Sequence, residues 1–129
     1  MLASVVLAAS LAVTPCDNVN DSAFSWRECM TEYNERVELE LDQAWRKVLR
    51  KAEDDDSKRV DEKWHRDERG QTGRLKDSQK NWLIYRHDQC DVETYPMFGG
   101  TGMIGLELSC LVRINRARTA ELIAFLRNE

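Results

Sequence analysis

Four cysteines, two histidines and 23 carboxylate side chains are the residues of this 129-residue chain best equipped for chemistry. Cysteine and histidine hold metals when close pairs bring two ligands together. Here Cys16 and Cys29 are 13 positions apart, and Cys90 and Cys110 are 20 apart. No close C-x-x-C type of pair occurs, and His65 and His87 show no ligand spacing with the cysteines. A thiol nucleophile needs a neighbouring base. Cys90 and His87 meet that need only in the sense that any cysteine and histidine can meet. Composition does not exclude paired-carboxylate glycosidase chemistry. Yet no histidine–nucleophile constellation, glycine-rich phosphate motif or metal box stands out. The expectation is a protein that is not an enzyme and uses no metal or cofactor.

Disulfides account for an even set of cysteines better than catalysis does, provided that the compartment is oxidising. Four cysteines allow three connectivities, and the sequence does not choose among them. The order-preserving pairing, Cys16–Cys29 and Cys90–Cys110, would pin an N-terminal arm to the first helix and close a glycine-rich loop between the last two. The compartment is read from residues 1–14, MLASVVLAASLAVT, an apolar run without a charged side chain. At 1.5 Å per helical residue it is too short to span a bilayer core of ~30 Å. It fits the apolar region of a secretory signal peptide, with Ser10, Leu11 and Ala12 suiting a peptidase that selects small residues. The basic region expected before it is missing, so either the true start lies upstream or the first residues were trimmed. A buried N-terminal helix is the alternative. A lipid anchor on Cys16 fits less well: Val13, Thr14 and Pro15 precede it, and three cysteines would be left over. An exported protein, periplasmic or secreted, is therefore expected.

The elements that would carry these residues are helical. Trp26, Met30, Tyr33, Val37, Leu41, Trp45, Val48 and Ala52 recur at steps of three or four, one apolar stripe on a long amphipathic helix. Asp21 or Ser22 would cap it. From Lys51 to Arg74 the chain is almost all charge, interrupted by Val60 and Trp64, and Gly70-Gln71-Thr72-Gly73 is expected to break it. A second helix places Leu75, Ser78, Gln79, Trp82, Leu83, Tyr85 and Arg86 on or beside one face and ends at Cys90. After the loop Tyr95–Gly102 a last helix runs from about Met103 to Arg127, with Ile104, Leu108, Leu111, Ile114 or Asn115, Arg118 and Leu122 in its stripe. Two prolines and six glycines are too few for a turn-rich β chain. The fold class is all-α: a small disulfide-stapled bundle of three to four helices, filling residues 15–129 as one domain.

Several of these residues stand in a pattern. Trp26-Arg27-Glu28-Cys29 is followed by Tyr33, by Leu41-Asp42 and by Trp45. The block Leu75–Arg86 holds Gln79, Trp82, Tyr85 and Arg86 and leads to Cys90, after which come Gly99-Gly100, Cys110 and Arg118. In order and spacing this resembles the lysozyme inhibitor LprI-like domain family, from Cys16 to about Leu122. Two positions depart from the family's pattern. Trp26-Arg27 stands where it usually has Met-Asn, and His87 stands where an acid often follows the aromatic–Arg pair. The resemblance implies an exported helical domain with paired cysteines, and it carries no inhibitory residue set across.

The formal net charge of −4 belongs wholly to the part after the apolar leader. An acidic domain suits a basic partner, and lysozymes of the common animal type are strongly basic. Opposite fields speed association and make it salt-sensitive. Two surfaces are candidates for contact. One is the acidic run Glu53, Asp54, Asp55 and Asp56, whose other reading is a solvated helix end. The second is the Tyr95–Gly102 loop, which would present Tyr95, Met97 and Phe98 as a wedge, or else pack them inward as a tight helix connection. Tyr33, Leu41, Trp45, Gln79, Trp82, Tyr85, Arg86, Gly99, Gly100 and Arg118 are expected to be structural. Arg113, Arg116 and Arg118 are expected to complement the acidic first helix or their own helix end. The net charge disfavours nucleic acid, and none is expected as a partner despite the local basic residues Arg113, Arg116 and Arg118; no membrane span is expected in the mature part. The expected function is an exported binding protein, a lysozyme-inhibitor-like protein acting by contact. The alternative is an envelope interaction module without inhibition.

Overall fold

The computed structural model describes residues 14–17, 22–59 and 68–127. The expected leader lies outside the described residues except for Thr14, as do Asp21, Val60, Trp64 and His65. Three α-helices make up the described fold, with no strand among the described residues: α1 (Ala23–Lys58), α2 (Gly70–Thr94) and α3 (Met103–Arg127). A single 3₁₀ turn, Tyr95–Met97, follows α2 directly. The all-α bundle is as the apolar periodicity predicts.

The first helix starts where the sequence offers a hydroxyl. Ser22 has extended backbone geometry, and its Oγ accepts from the Ser25 N–H at 3.1 Å. Along the 36 residues of α1, roughly 54 Å at the standard rise, Met30, Val37, Leu41, Ala44, Val48 and Ala52 are buried. Trp26, Tyr33 and Trp45 pack at the edges of that stripe. The stripe meets α3, the most extensive helix pair of the bundle. Near the start of α1, Met30 packs with Val112, Leu108 and the Cys16 arm. Farther along, Leu41, Ala44 and Val48 pack with Leu122. So α1 and α3 run in the same direction, and α2 returns between their ends. Burying side chains such as Met30 and Val48 contributes ~1.5–3 kcal/mol each.

The second helix begins earlier than the glycines suggest. Gly70 to Gly73 do not break the chain; they form the first turn of α2. Gly70 takes a left-handed φ of +61°, which turns the backbone into the helix. Asp56, at the end of α1, supplies the cap: its carboxylate accepts from the Gln71 N–H at 3.0 Å and the Thr72 N–H at 2.8 Å. A further expectation is corrected: Ile104 is 52 % exposed rather than part of the α3 stripe. Of the α3 arginines, Arg113 turns to Glu93 on α2, not to α1, while Arg118 bonds both to Gln79 on α2 and to Glu121 of its own helix.

Both disulfides follow the chain order, Cys16–Cys29 and Cys90–Cys110. They sit at the same end of the bundle, because α1 and α3 start there and α2 ends there. The Cys16 arm is a small turn. The Thr14 N–H and hydroxyl both donate to the Asp17 carboxylate, at 2.9 and 2.7 Å. Those two bonds, the backbone one first, hold Asp17 below the ordinary carboxylate pKa.

Candidate functional site

The disulfide end is where the chain leaves aromatic surface in water. Cys90 and Cys110 are buried and tie the last turn of α2 to the second turn of α3. Thr94 is buried as well, and its hydroxyl donates to the Cys90 carbonyl at 2.8 Å. Pro96 opens the 3₁₀ turn with its ring-fixed φ. Phe98 N–H then donates to the Tyr95 carbonyl at 3.1 Å, and Gly100 N–H to the Met97 carbonyl at 2.8 Å. Gly99 has φ +76°, a conformation that costs glycine least, and it lets the chain turn back into α3. The result is a tied turn that holds Tyr95 76 % exposed, Met97 43 % and Phe98 79 %. Among the two sequence-level readings of this loop, the inward-packed connection is not the geometry of Tyr95 and Phe98.

Two shallow grooves open at this end. Asp91, Thr94, Tyr95, Phe98 and Met103 line one of about 510 Å³. Phe24, Arg27, Glu28, Thr31, Glu32 and Ile104 line another of about 430 Å³, with Phe24 itself largely exposed. One carboxylate, Asp91, shares the first groove with Tyr95 and Phe98. Asp88 and Asp91 lie on the outer side of α2, near His87 Nδ1 at 3.4 and 3.5 Å. Arg113 is bound to Glu93 at 2.5 Å and so brings no unpaired cation to the turn.

The acidic run lies elsewhere. Glu53 is 24 residues along α1 from Cys29, roughly 36 Å away at the helical rise. Asp54 pairs with Lys58 and Asp55 with Lys51, each at 2.8 Å, while Asp56 caps α2. The Lys51 ammonium, through its hydrogen bond first, holds Asp55 below the usual carboxylate pKa. Glu53 is exposed. The two candidate contact surfaces are therefore at opposite ends of the bundle, and three of the four acids already serve the chain's own architecture.

The motif residues gather in the middle. Leu41, Trp45, Gln79, Trp82 and Arg86 line a groove of about 250 Å³ between α1 and α2, together with Glu38, Asp42 and Leu83. Arg118 is buried and multiply bound. Its Nε donates to Gln79 Oε1 at 3.0 Å, its Nη1 pairs with Glu121 at 3.0 Å, and its Nη2 reaches Ser78 Oγ at 3.4 Å. Arg86 and Arg118 both lie over the Trp82 ring, 5.0 and 5.8 Å from its centre. Arg86 Nη1 also donates to Asn115 Oδ1 at 2.8 Å. Tyr33 is half-buried beside the Cys16 arm, and Tyr85 points to solvent.

Sequence reasoning missed Asn34, Asp91, Thr94 and Met103. A signal existed for Asn34: it lies four residues after Met30 and three before Val37, a polar residue in register with the apolar stripe. The others needed the α2–α3 turn to be folded before they came together.

Fold and site define a class: a helical bundle stapled at one end, with an exposed aromatic turn there. No group of three or more His, Cys, Asp or Glu side chains able to hold a metal occurs among the described residues. The model of the lysozyme inhibitor LprI family matches residues 16–122, and the chain belongs to that family. No curated protein and no solved structure matches it. No helix among the described residues is long and apolar enough to cross a membrane.

Proposed function

We propose that this chain is an exported, non-enzymatic binding protein that inhibits a basic lysozyme by occupying its cleft. The observation that carries the reading is the tied turn at the disulfide end. It holds Tyr95, Met97 and Phe98 in water, with Tyr95 and Phe98 beside Asp91, in a chain of the lysozyme inhibitor family. An inhibitor needs to exclude substrate and need not do chemistry. A turn fixed by a disulfide loses little entropy on docking, and exposed aromatic rings recover apolar burial there. Export is supported by the apolar leader over residues 1–14 and by two disulfides, which persist in oxidising compartments.

The test is a lysozyme activity assay with the oxidised protein and a Tyr95→Ala/Phe98→Ala variant. Wild type is expected to inhibit. The variant is expected to inhibit at least about tenfold less, with an unchanged helical circular dichroism spectrum. No inhibition by wild type at molar excess would favour an envelope interaction module instead. Equal inhibition by the variant would remove the turn from the contact.

A further inference from the structure

We propose that the groove lined by Asp91, Thr94, Tyr95, Phe98 and Met103 is a receptor for a cationic side chain of the partner protein, arginine above all. The groove has about 510 Å³ of space, more than one long side chain needs. Its walls are two aromatic rings left largely in water and a methionine, and its charge is a single carboxylate. The Asp91 side chain is 69 % exposed. Its nearest basic neighbour is His87, which offers an ion pair only when protonated. Arg113, the strong cation close by, is committed to Glu93. Thr94 spends its hydroxyl on the Cys90 carbonyl and forms floor rather than contact.

That combination selects by chemistry. A guanidinium is planar, weakly hydrated and always charged. It stacks on aromatic faces and places two N–H groups on one carboxylate. A neutral polar side chain of the same shape can donate to the carboxylate but neither balances its charge nor engages the ring quadrupoles as a cation does. An acidic one is repelled by Asp91 and by Asp88 beside it. The groove is also held ready: Asp91 follows Cys90, which is bonded to Cys110, and Phe98 is tied by its N–H to Tyr95. Tyr95 and Phe98 then act as two walls of one socket as well as a surface patch. The identity of the partner as a basic protein rests on the proposed function, whereas the chemistry of the groove does not.

The experiment is a titration of the full-length oxidised protein, labelled with nitrogen-15, with N-acetyl-arginine methylamide at pH 7.5. The citrulline analogue, equal in shape and neutral, is the control. Saturable shifts confined to amides of Asp91–Met103, at least about fivefold stronger with arginine than with citrulline, are expected. Asp91→Asn and Phe98→Ala should each weaken the arginine response at least about fivefold, with α1 resonances unmoved as the sign of an intact fold. An equal response to citrulline, shifts elsewhere, or no saturation by about 100 mM would overturn the receptor. Lysozyme inhibition without the arginine response overturns the groove and leaves the inhibitor reading standing. The arginine response without inhibition does the reverse.

Discussion

Asn115 has no exposed surface, and both ends of its amide are in use. Its Oδ1 accepts from Arg86 Nη1 at 2.8 Å, and its Nδ2 donates to Asn34 Oδ1 at 3.2 Å. Asn34 in turn reaches Glu38 at 3.4 Å. One side chain thus joins all three helices in a polar seam through the core. Removing it strands a buried amide oxygen and a guanidinium N–H at once, and such groups cost more unpaired than their bonds contribute when made. Asn115→Ala is expected to lower stability by about 2–4 kcal/mol in urea denaturation. Asn115→Asp, which keeps an acceptor for Arg86 but loses the donor to Asn34, should cost less. A loss below about 0.5 kcal/mol for the alanine variant would mean that the seam is not a stabilising unit. This seam was half legible in the sequence. The α3 pattern offers Ile114 or Asn115 at one inward position, and both are buried. Periodicity cannot distinguish a polar residue that tolerates the core from one that organises it. That depends on what stands opposite, and Asn34 lies 81 positions away.

At the scale of the element, α1 and α3 were readable because a 3.6-residue period with one apolar face leaves few alternatives. The start of α2 was not, because its decisive residue belongs to another helix. Gly70 and Gly73 look like a chain break, and a break would follow if nothing satisfied the first N–H groups of the helix. Asp56 satisfies two of them from the end of α1, and its charge favours the positive end of the helix dipole. The acidic run therefore contains a cap that resembles, in sequence, a solvated patch. Asp56→Ala should cost about 1–2 kcal/mol in chemical denaturation and increase amide exchange in the first turn of α2. Glu53→Ala, one turn earlier and exposed, should change neither. Equal effects of the two substitutions would show that charge in the run matters and the cap does not.

For the molecule as a whole, what matters is that both disulfides close the same end of a bundle whose other end is closed by Asp56 and by side-chain packing. Sequence spacing offered three pairings, and the parallel course of α1 and α3 is what brings Cys29 and Cys110 to one level, each beside its own partner. The two bonds have different tasks. Cys16–Cys29 fastens an arm against Met30 and Val112, while Cys90–Cys110 fixes the α2–α3 turn that carries Tyr95 and Phe98. Restricting the unfolded chain over loops of 13 and 20 positions is worth roughly 3 kcal/mol for each bond. In a domain with total stability of ~5–15 kcal/mol neither loss is small, and the two should be similar in thermal denaturation. Their functional consequences should differ. Cys90→Ala/Cys110→Ala is expected to weaken lysozyme inhibition at least about tenfold at a temperature where the helices persist, since a loosened turn must be ordered again on docking. Cys16→Ala/Cys29→Ala, equally destabilised, should retain inhibition within about threefold. Comparing the two double variants below their melting transitions separates rigidity of the contact from stability of the fold. If both lose inhibition in parallel, the turn has no privileged role, and the contact must spread across the whole stapled end.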